Sequence, residues 1–360
     1  MLNYEFPPLG GGAANATKYI LEEFSKYDNL HIDLITSSIG SFRIENFSPN
    51  ITIHYLDIGK NGEMHYQSNK DLLQYSWKCY WYCRKLLDST SYDLAHAFFG
   101  IPCGFIAQQL KIPYIVSLRG SDVPFYNERF YWLDTLMFKR MSKRIWKNAS
   151  FVVTNSQGLK ELALSSSSNQ EIKIIENGVD TSLFKPRSKK NSKLIVLGVG
   201  RLISRKGFEY LIKACEELDV EVRLVGDGPL KEELEDLAKR LSVRCKFYGN
   251  IEDKKELSEI YSSSDVFCLP SLNEGMSNTV LEAMASGLPL VVTNTGGSKE
   301  LVRKNGFIVE MKNSQDIRDK LNKFSSDLIE EMGKQSRELA VKKNWGSVAQ
   351  DYFDLYEEVE

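Results

Sequence analysis

The feature that most constrains this chain is a rhythm. Short runs of β-branched and apolar residues alternate with longer amphipathic stretches along nearly all of its 360 residues. Residues 31–36, 51–56, 94–98, 114–118 and 151–154 read as buried strands, and 194–199, 221–225, 245–247, 266–269 and 290–293 repeat the pattern. Helical spacing runs through 13–27, 208–218, 230–241 and 279–286. Near-continuous apolar strands joined by helices predict parallel sheets covered on both faces, an α/β fold. The length suits two domains at roughly 150 residues each. A polar, basic stretch at 187–193 follows Pro186, interrupts the rhythm and marks the expected junction. The opening of the chain is unusual: it reaches Pro7-Pro8 almost at once, so the first strand is either very short or begins upstream.

Composition removes several function classes. With 46 basic against 48 acidic residues the formal net charge is −2, which argues against nucleic acid as a partner. Six cysteines form no CxxC pair, and Cys79 and Cys83 stack on one helix face; the four histidines form no HExxH or H-x3-H pattern. No metal site is expected, and free thiols in a reducing compartment are. No basic-then-apolar leader opens the chain, and the most apolar stretch, 97–107, is too short to span a bilayer. The expectation is a cytoplasmic chain.

Three clusters carry chemistry. Gly10-Gly11-Gly12 precedes the helix that starts near Ala13, where glycine lets a backbone approach a ligand and a helix start favours an anion. A tight strand-to-helix turn explains this run equally well. The second cluster, Gly198 to Gly207, follows the strongest strand of the second half. It is neither a dinucleotide fingerprint nor a P-loop, but it presents Arg201 and Lys206 on one loop, enough charge for a diphosphate. Two solvated loop cations are the competing reading. The third runs from Pro270 to Pro289, with Glu274 before a helix expected near Ser277 or Asn278 and Glu282 about one turn inside it. Backbone amides of that first turn suit phosphate, and the carboxylates suit hydroxyl groups on either side of it.

These residues together resemble the retaining glycosyltransferases of family 4. The likeness rests on Glu274 and Glu282 in their Pro270–Pro289 setting, Gly200-Arg201-Leu202 with Lys206-Gly207, and Asn177-Gly178-Val179-Asp180, where Glu176 replaces the family's usual proline as a loop variation. It continues through Gly226-Asp227-Gly228-Pro229, Gly11-Gly12, the 93–96 segment and Gly296-Gly297, in the family's order over essentially the whole chain. The resemblance implies a GT-B fold: two Rossmann-like domains with parallel sheets facing across a cleft. Residues 1–187 would form the acceptor-binding domain and 188–342 the donor-nucleotide domain, with 343–360 a helix returning to the first. It also implies that Arg201 and Lys206 grip the donor diphosphate. Gly11 and Gly12 would close over it, the backbone from Gly275, Met276 and Ser277 to Asn278 and Thr279 would cradle it, Glu282 would hold the ribose, and Glu274 would contact the sugar. Asn250 and Ile251 flank the nucleobase region, and His96 and Asn177 are further pocket candidates, though a lone histidine at a strand end is as often a packed residue.

One departure matters: Arg119 stands where the family often has histidine. An arginine is no base at neutral pH but can stabilise a leaving phosphate, with Asp122 orienting it; a structural Arg119–Asp122 pair is the alternative. The implied activity is transfer with retention from a nucleotide sugar of UDP or GDP type to a saccharide or lipid-linked acceptor, with no cofactor and no metal. The rival readings are an epimerase-type sugar-nucleotide enzyme and a non-catalytic sugar-nucleotide binder. Basic and aromatic residues at 129–147 and 75–87 also suit peripheral contact with the inner face of a membrane, or ordinary helices with their aromatics packed inward.

Overall fold

The computed structural model describes residues 1–60, 67–126, 137–187 and 191–359. They form two compact units: Met1–Asn177 with Trp345–Glu360, and Gly178–Asn344. The division falls ahead of the polar stretch that the sequence offered as a junction. Val179 and Phe184 are already buried in the second core, and the Val179 amide donates to the Lys343 carbonyl at 2.8 Å.

In the second unit six strands lie in the order Cys245–Phe247, Val220–Val225, Leu194–Val199, Val266–Leu269, Leu290–Thr293 and Gly306–Val309. All the pairings are parallel. The order reverses between Leu194–Val199 and Val266–Leu269, so the loops leaving those two strands flank the switch point where open parallel sheets bind ligands. Val266–Leu269 and Leu290–Thr293 are buried along their whole length, as strands covered on both faces must be.

The first unit has the same plan with two differences. Ile32–Ser38 pairs in parallel with Ile51–Asp57, which carries the antiparallel edge strand Arg43–Ser48 on its other side. Ala95–Phe98, Tyr114–Leu118, Phe151–Thr154 and Lys173–Ile174 form a second parallel set. The short opening segment joins the sets, since Leu2 bridges in parallel to both Ile35 and Ala97. This segment sits at the switch point of the sheet. Gly12–Phe24 follows it, and the helix Trp345–Glu357 packs beside that helix with Trp345, Val348, Ala349, Tyr352 and Leu355 buried. Their three- and four-residue spacing is one apolar helix face. Trp345 stacks on Tyr19 with centroids 5.0 Å apart, and Phe353 meets Tyr27 at 5.0 Å. All six cysteines are free thiols and all but Cys245 are buried.

Candidate active site

Two loops of the second unit meet at its switch point. After Leu194–Val199 the chain passes Gly200 and Arg201, makes a 3-10 turn at Ser204–Lys206 and enters the helix Phe208–Ala214 through Gly207. Gly207 has φ +67°, and a Cβ there would lie 2.2 Å from the Pro270 carbonyl oxygen. Only glycine allows that approach. The Leu272 amide donates to the Arg205 carbonyl at 2.7 Å and fastens the loops together. Gly296 closes the far side in the same way, since a Cβ there would lie 1.7 Å from the Glu274 carbonyl oxygen.

This fastening brings Lys206 and Glu274, 68 residues apart, into a direct ion pair with side chains 12% and 9% exposed. Ser271 Oγ donates to the same carboxylate oxygen at 2.9 Å. Burial pushes the Glu274 carboxyl upward. The charges of Lys206 and Arg205 and the hydrogen bonds from Lys206 and Ser271 outweigh it, so the group lies below its ordinary value and is ionised at neutral pH. Removing one partner of such a pair costs about 3–5 kcal/mol, because the other is left buried and unpaired.

Directly beyond lies the helix Asn278–Ala285. Ser277 occupies its N-cap, yet its hydroxyl makes no capping bond and instead meets Thr279 Oγ1 at 3.0 Å. The helix start thus presents its partial positive charge without a side-chain cap, the arrangement that suits an anion. Glu282, half-buried one turn in, accepts from the Tyr261 hydroxyl at 2.8 Å. Burial pushes its carboxyl up to about 7, with the Tyr261 hydrogen bond and the Lys254 charge acting the other way. Arg201 is exposed on the first loop. Gly275 is half-buried in the turn, while the Met276 side chain enters the core, so that residue can offer a ligand only its backbone. Asn250 is exposed and Ile251 half-buried on the loop after Cys245–Phe247.

The site residues expected in the first unit take different roles. Gly11 is the uncapped N-cap of Gly12–Phe24 and is exposed, with nothing within 4 Å of a Cβ built on it. Asp122 does not pair with the Arg119 guanidinium. Its carboxylate accepts from the backbone amides of Gly100 at 2.6 Å, Arg119 at 2.9 Å and Gly120 at 3.0 Å, so it shapes the loop and not the side chain. The guanidinium donates instead to Asn177 Oδ1 at 3.1 Å and to the Tyr352 hydroxyl at 3.2 Å. Its Nε is buried with no hydrogen-bond partner among the described residues.

His96 is enclosed, not pocket-facing. Ser117 donates to Tyr352, so His96 Nε2–H donates to Ser117 at 2.7 Å and Nδ1 accepts from Tyr356 at 2.6 Å. Burial and the Arg119 charge hold the imidazole well below its ordinary pKa, hence neutral. Sequence reasoning passed over Ser271, Arg205 and Tyr261. Ser271 lay in the right loop, but nothing in the spacing pointed to Tyr261.

The two basic–aromatic stretches separate. Residues 129–136 lie outside the described residues. In Lys139–Asn148, Ile145 and Trp146 are buried and the cations Arg140, Lys143, Arg144 and Lys147 face out. On Asn69–Ser89, Leu73, Trp77 and Trp81 are 72%, 66% and 58% exposed at four-residue spacing, flanked by exposed Lys78, Arg84 and Lys85. Among the described residues no helix is long and apolar enough to cross a membrane.

Comparison with known proteins places this geometry. The family described as Glycosyltransferase Family 4 matches residues 10–183, and that described as Glycosyl transferases group 1 matches 179–339. The sulfoquinovosyl transferase SQD2 of Arabidopsis thaliana is 30% identical over 67% of this chain, a match that spans 51% of the plant protein. An uncharacterised glycosyltransferase of Methanocaldococcus jannaschii is 25% identical over 77% of this chain and 78% of its own length. Among solved structures, sucrose-phosphate synthase from Thermosynechococcus elongatus superposes with TM-score 0.87 at 22% identity, covering 99% of this chain and 98% of that one. HepE of Anabaena, solved in complex with UDP-glucose, gives 0.74 at 21% identity with the same coverage. These likenesses establish the GT-B fold.

Proposed function

The chain belongs to the family 4, group 1 glycosyltransferases, and we propose that it moves a sugar from a nucleoside-diphosphate sugar of UDP or GDP type to a saccharide or lipid-linked acceptor in polysaccharide or glycolipid synthesis. The observation that carries this reading is the buried Lys206–Glu274 pair beside the uncapped start of Asn278–Ala285. In this proposal Lys206, Arg201 and the helix amides take the diphosphate, and Gly11 and Gly12 let backbone approach it. Glu282 accepts hydrogen bonds from the ribose, Asn250 and Ile251 flank the base, and Glu274 contacts the transferred sugar. Arg119 supplies positive charge to the leaving phosphate, with Asp122 as a positioning residue acting through backbone and Asn177 steadying the guanidinium.

Transfer proceeds with retention at the anomeric carbon, by a covalent intermediate or by departure and attack on one face. The protein stabilises the leaving group electrostatically in either route. Two cations already answer the diphosphate charge, so no metal or other cofactor is required and the reaction runs in EDTA. The protein works in the cytoplasm, with the Leu73–Trp77–Trp81 face supporting peripheral contact with a membrane that bears the acceptor.

Melting curves with UDP, GDP, ADP and NAD test the donor assignment, because a ligand bound by the native state alone raises the midpoint. A rise with one nucleoside diphosphate, absent in Lys206→Ala, is expected. A rise with NAD alone, or one that survives in Lys206→Ala, refutes it.

A further inference from the structure

The first unit holds a pocket of about 300 Å³ that none of the assignments above uses. We propose that it seats one sugar ring of the acceptor, and that the ring carries an anionic substituent, a carboxylate or a phosphate. This inference rests on the glycosyltransferase reading and adds a substrate class to it. The pocket lies at the carboxyl ends of Ile32–Ser38 and Ile51–Asp57, the side of a parallel sheet where ligands bind. Phe6, Pro8 and Leu9 belong to the lining, in the segment that leads through half-buried Gly10 into the exposed Gly11 and Gly12. Its volume is at the lower end of small-molecule sites, roughly 300–1,000 Å³, which suits one ring and not a long lipid chain.

The lining is specific. Phe6 and Tyr55 supply aromatic surface for the C–H face of a sugar. Ser37 is 2% exposed, and its Oγ has no hydrogen-bond partner among the described residues. A buried hydroxyl left unpaired is costly, and such groups in native proteins mark a missing partner. A ring hydroxyl entering the pocket supplies one. Arg43 is the charged member of the lining and is held in place: Nη1 donates to Ser38 Oγ at 2.9 Å, and the guanidinium lies 3.6 Å over the Tyr55 ring. Its carboxylate neighbour Glu45, 4.0 Å away, is not part of the lining. Among the described residues the lining therefore offers one planar cation held in place and no carboxylate of its own, with Glu45 outside it beside Arg43 and Tyr55, and a guanidinium so placed favours a carboxylate or phosphate.

The test uses the whole chain saturated with UDP, so that the diphosphate site is filled, titrated with glucuronate, glucose 6-phosphate, glucose and inorganic phosphate by ligand-observed NMR. Glucuronate or glucose 6-phosphate should bind at least tenfold tighter than glucose or inorganic phosphate, and which of the two prevails identifies the substituent. Arg43→Gln should erase that preference while leaving the UDP-induced melting shift unchanged. Ser37→Ala should weaken the anionic ring several-fold while the unliganded protein melts at the same temperature or higher, since an unpaired hydroxyl has been removed. Equal affinity for glucose, binding unaffected by Arg43→Gln, or binding of no probe overturns the proposal. A missing UDP shift instead strikes the donor assignment, and the same probes titrated into free protein then judge the pocket on its own.

Discussion

Glu274 and Asp122 are carboxylates on loops of different units, and they are almost equally buried at 8% and 9% exposure. Their partners differ. Glu274 is met by side chains, the ammonium of Lys206 and the hydroxyl of Ser271. Asp122 is met by three backbone amides. Burial raises the Asp122 carboxyl and its amides do not fully offset that, whereas neighbouring cations bring Glu274 below its ordinary value. Side-chain partners can turn toward a ligand and exchange one anion for another. Backbone amides are fixed by the fold, and a carboxylate spent on them is architecture. Burial and charge alone therefore do not mark a reacting group; the kind of partner does.

Lys206→Ala gives the largest expected effect. It should lower UDP affinity by about a hundredfold or more, by loss of a charge-assisted contact, and destabilise the fold by about 3–5 kcal/mol in denaturant titrations. If the fold weakens but UDP affinity holds within threefold, Glu274 is as architectural as Asp122 and the contrast disappears. Asp122→Asn should cost about 1–3 kcal/mol, as a buried amide acceptor is lost, with nucleotide affinity unchanged in calorimetry. A tenfold loss of UDP affinity there would place Asp122 in the binding machinery.

Glu282 sharpens the contrast through pH. Its folded pKa, about 7, lies above the ordinary 4.5, so its contribution to stability is full below 4.5 and is lost as pH rises through 7. Glu282→Gln should flatten that part of the stability–pH curve. Hydrogen bonds from ribose favour the ionised form, so affinity for UDP-glucose should rise between pH 6 and 8 in the wild type and stay level in the variant. A rise of equal size in both would assign the pH effect to another group. The smallest effect on folding belongs to Trp77→Ala with Trp81→Ala, within about 0.5 kcal/mol for exposed positions. The same pair should abolish flotation with anionic liposomes at low salt, and wild-type protein that never floats would dismiss the membrane surface.

Much of the architecture was readable from the sequence because buried parallel strands announce themselves as apolar runs. The elements that escaped lack that signature. Arg43–Ser48 is an edge strand with four exposed residues at its start, and Lys173–Ile174 pairs over two residues only. The switch-point loops of the second unit were legible as clusters, but the contact between Lys206 and Glu274 depends on Gly207 lying against Pro270, which no spacing reveals. The backbone partners of Asp122 and the enclosure of His96 by Ser117 and Tyr356 were hidden in the same way. A side chain's chemistry is written in the sequence, whereas the identity of what it touches is set by the packing of distant segments.

The helix Trp345–Glu357 gives the molecule a schedule. It completes the first unit, yet the ribosome makes it only after every strand of the second has emerged. The second unit has all its strands while the first still shows Tyr19, Phe24 and the ring of His96 to water, waiting for Trp345 and Tyr356. A nascent chain in that condition carries an uncovered apolar groove for as long as translation of the intervening segment lasts, a natural point for chaperone capture or aggregation. Slow codons ahead of Trp345 would lengthen that exposure, and a copy of the helix supplied as a free peptide would shorten it.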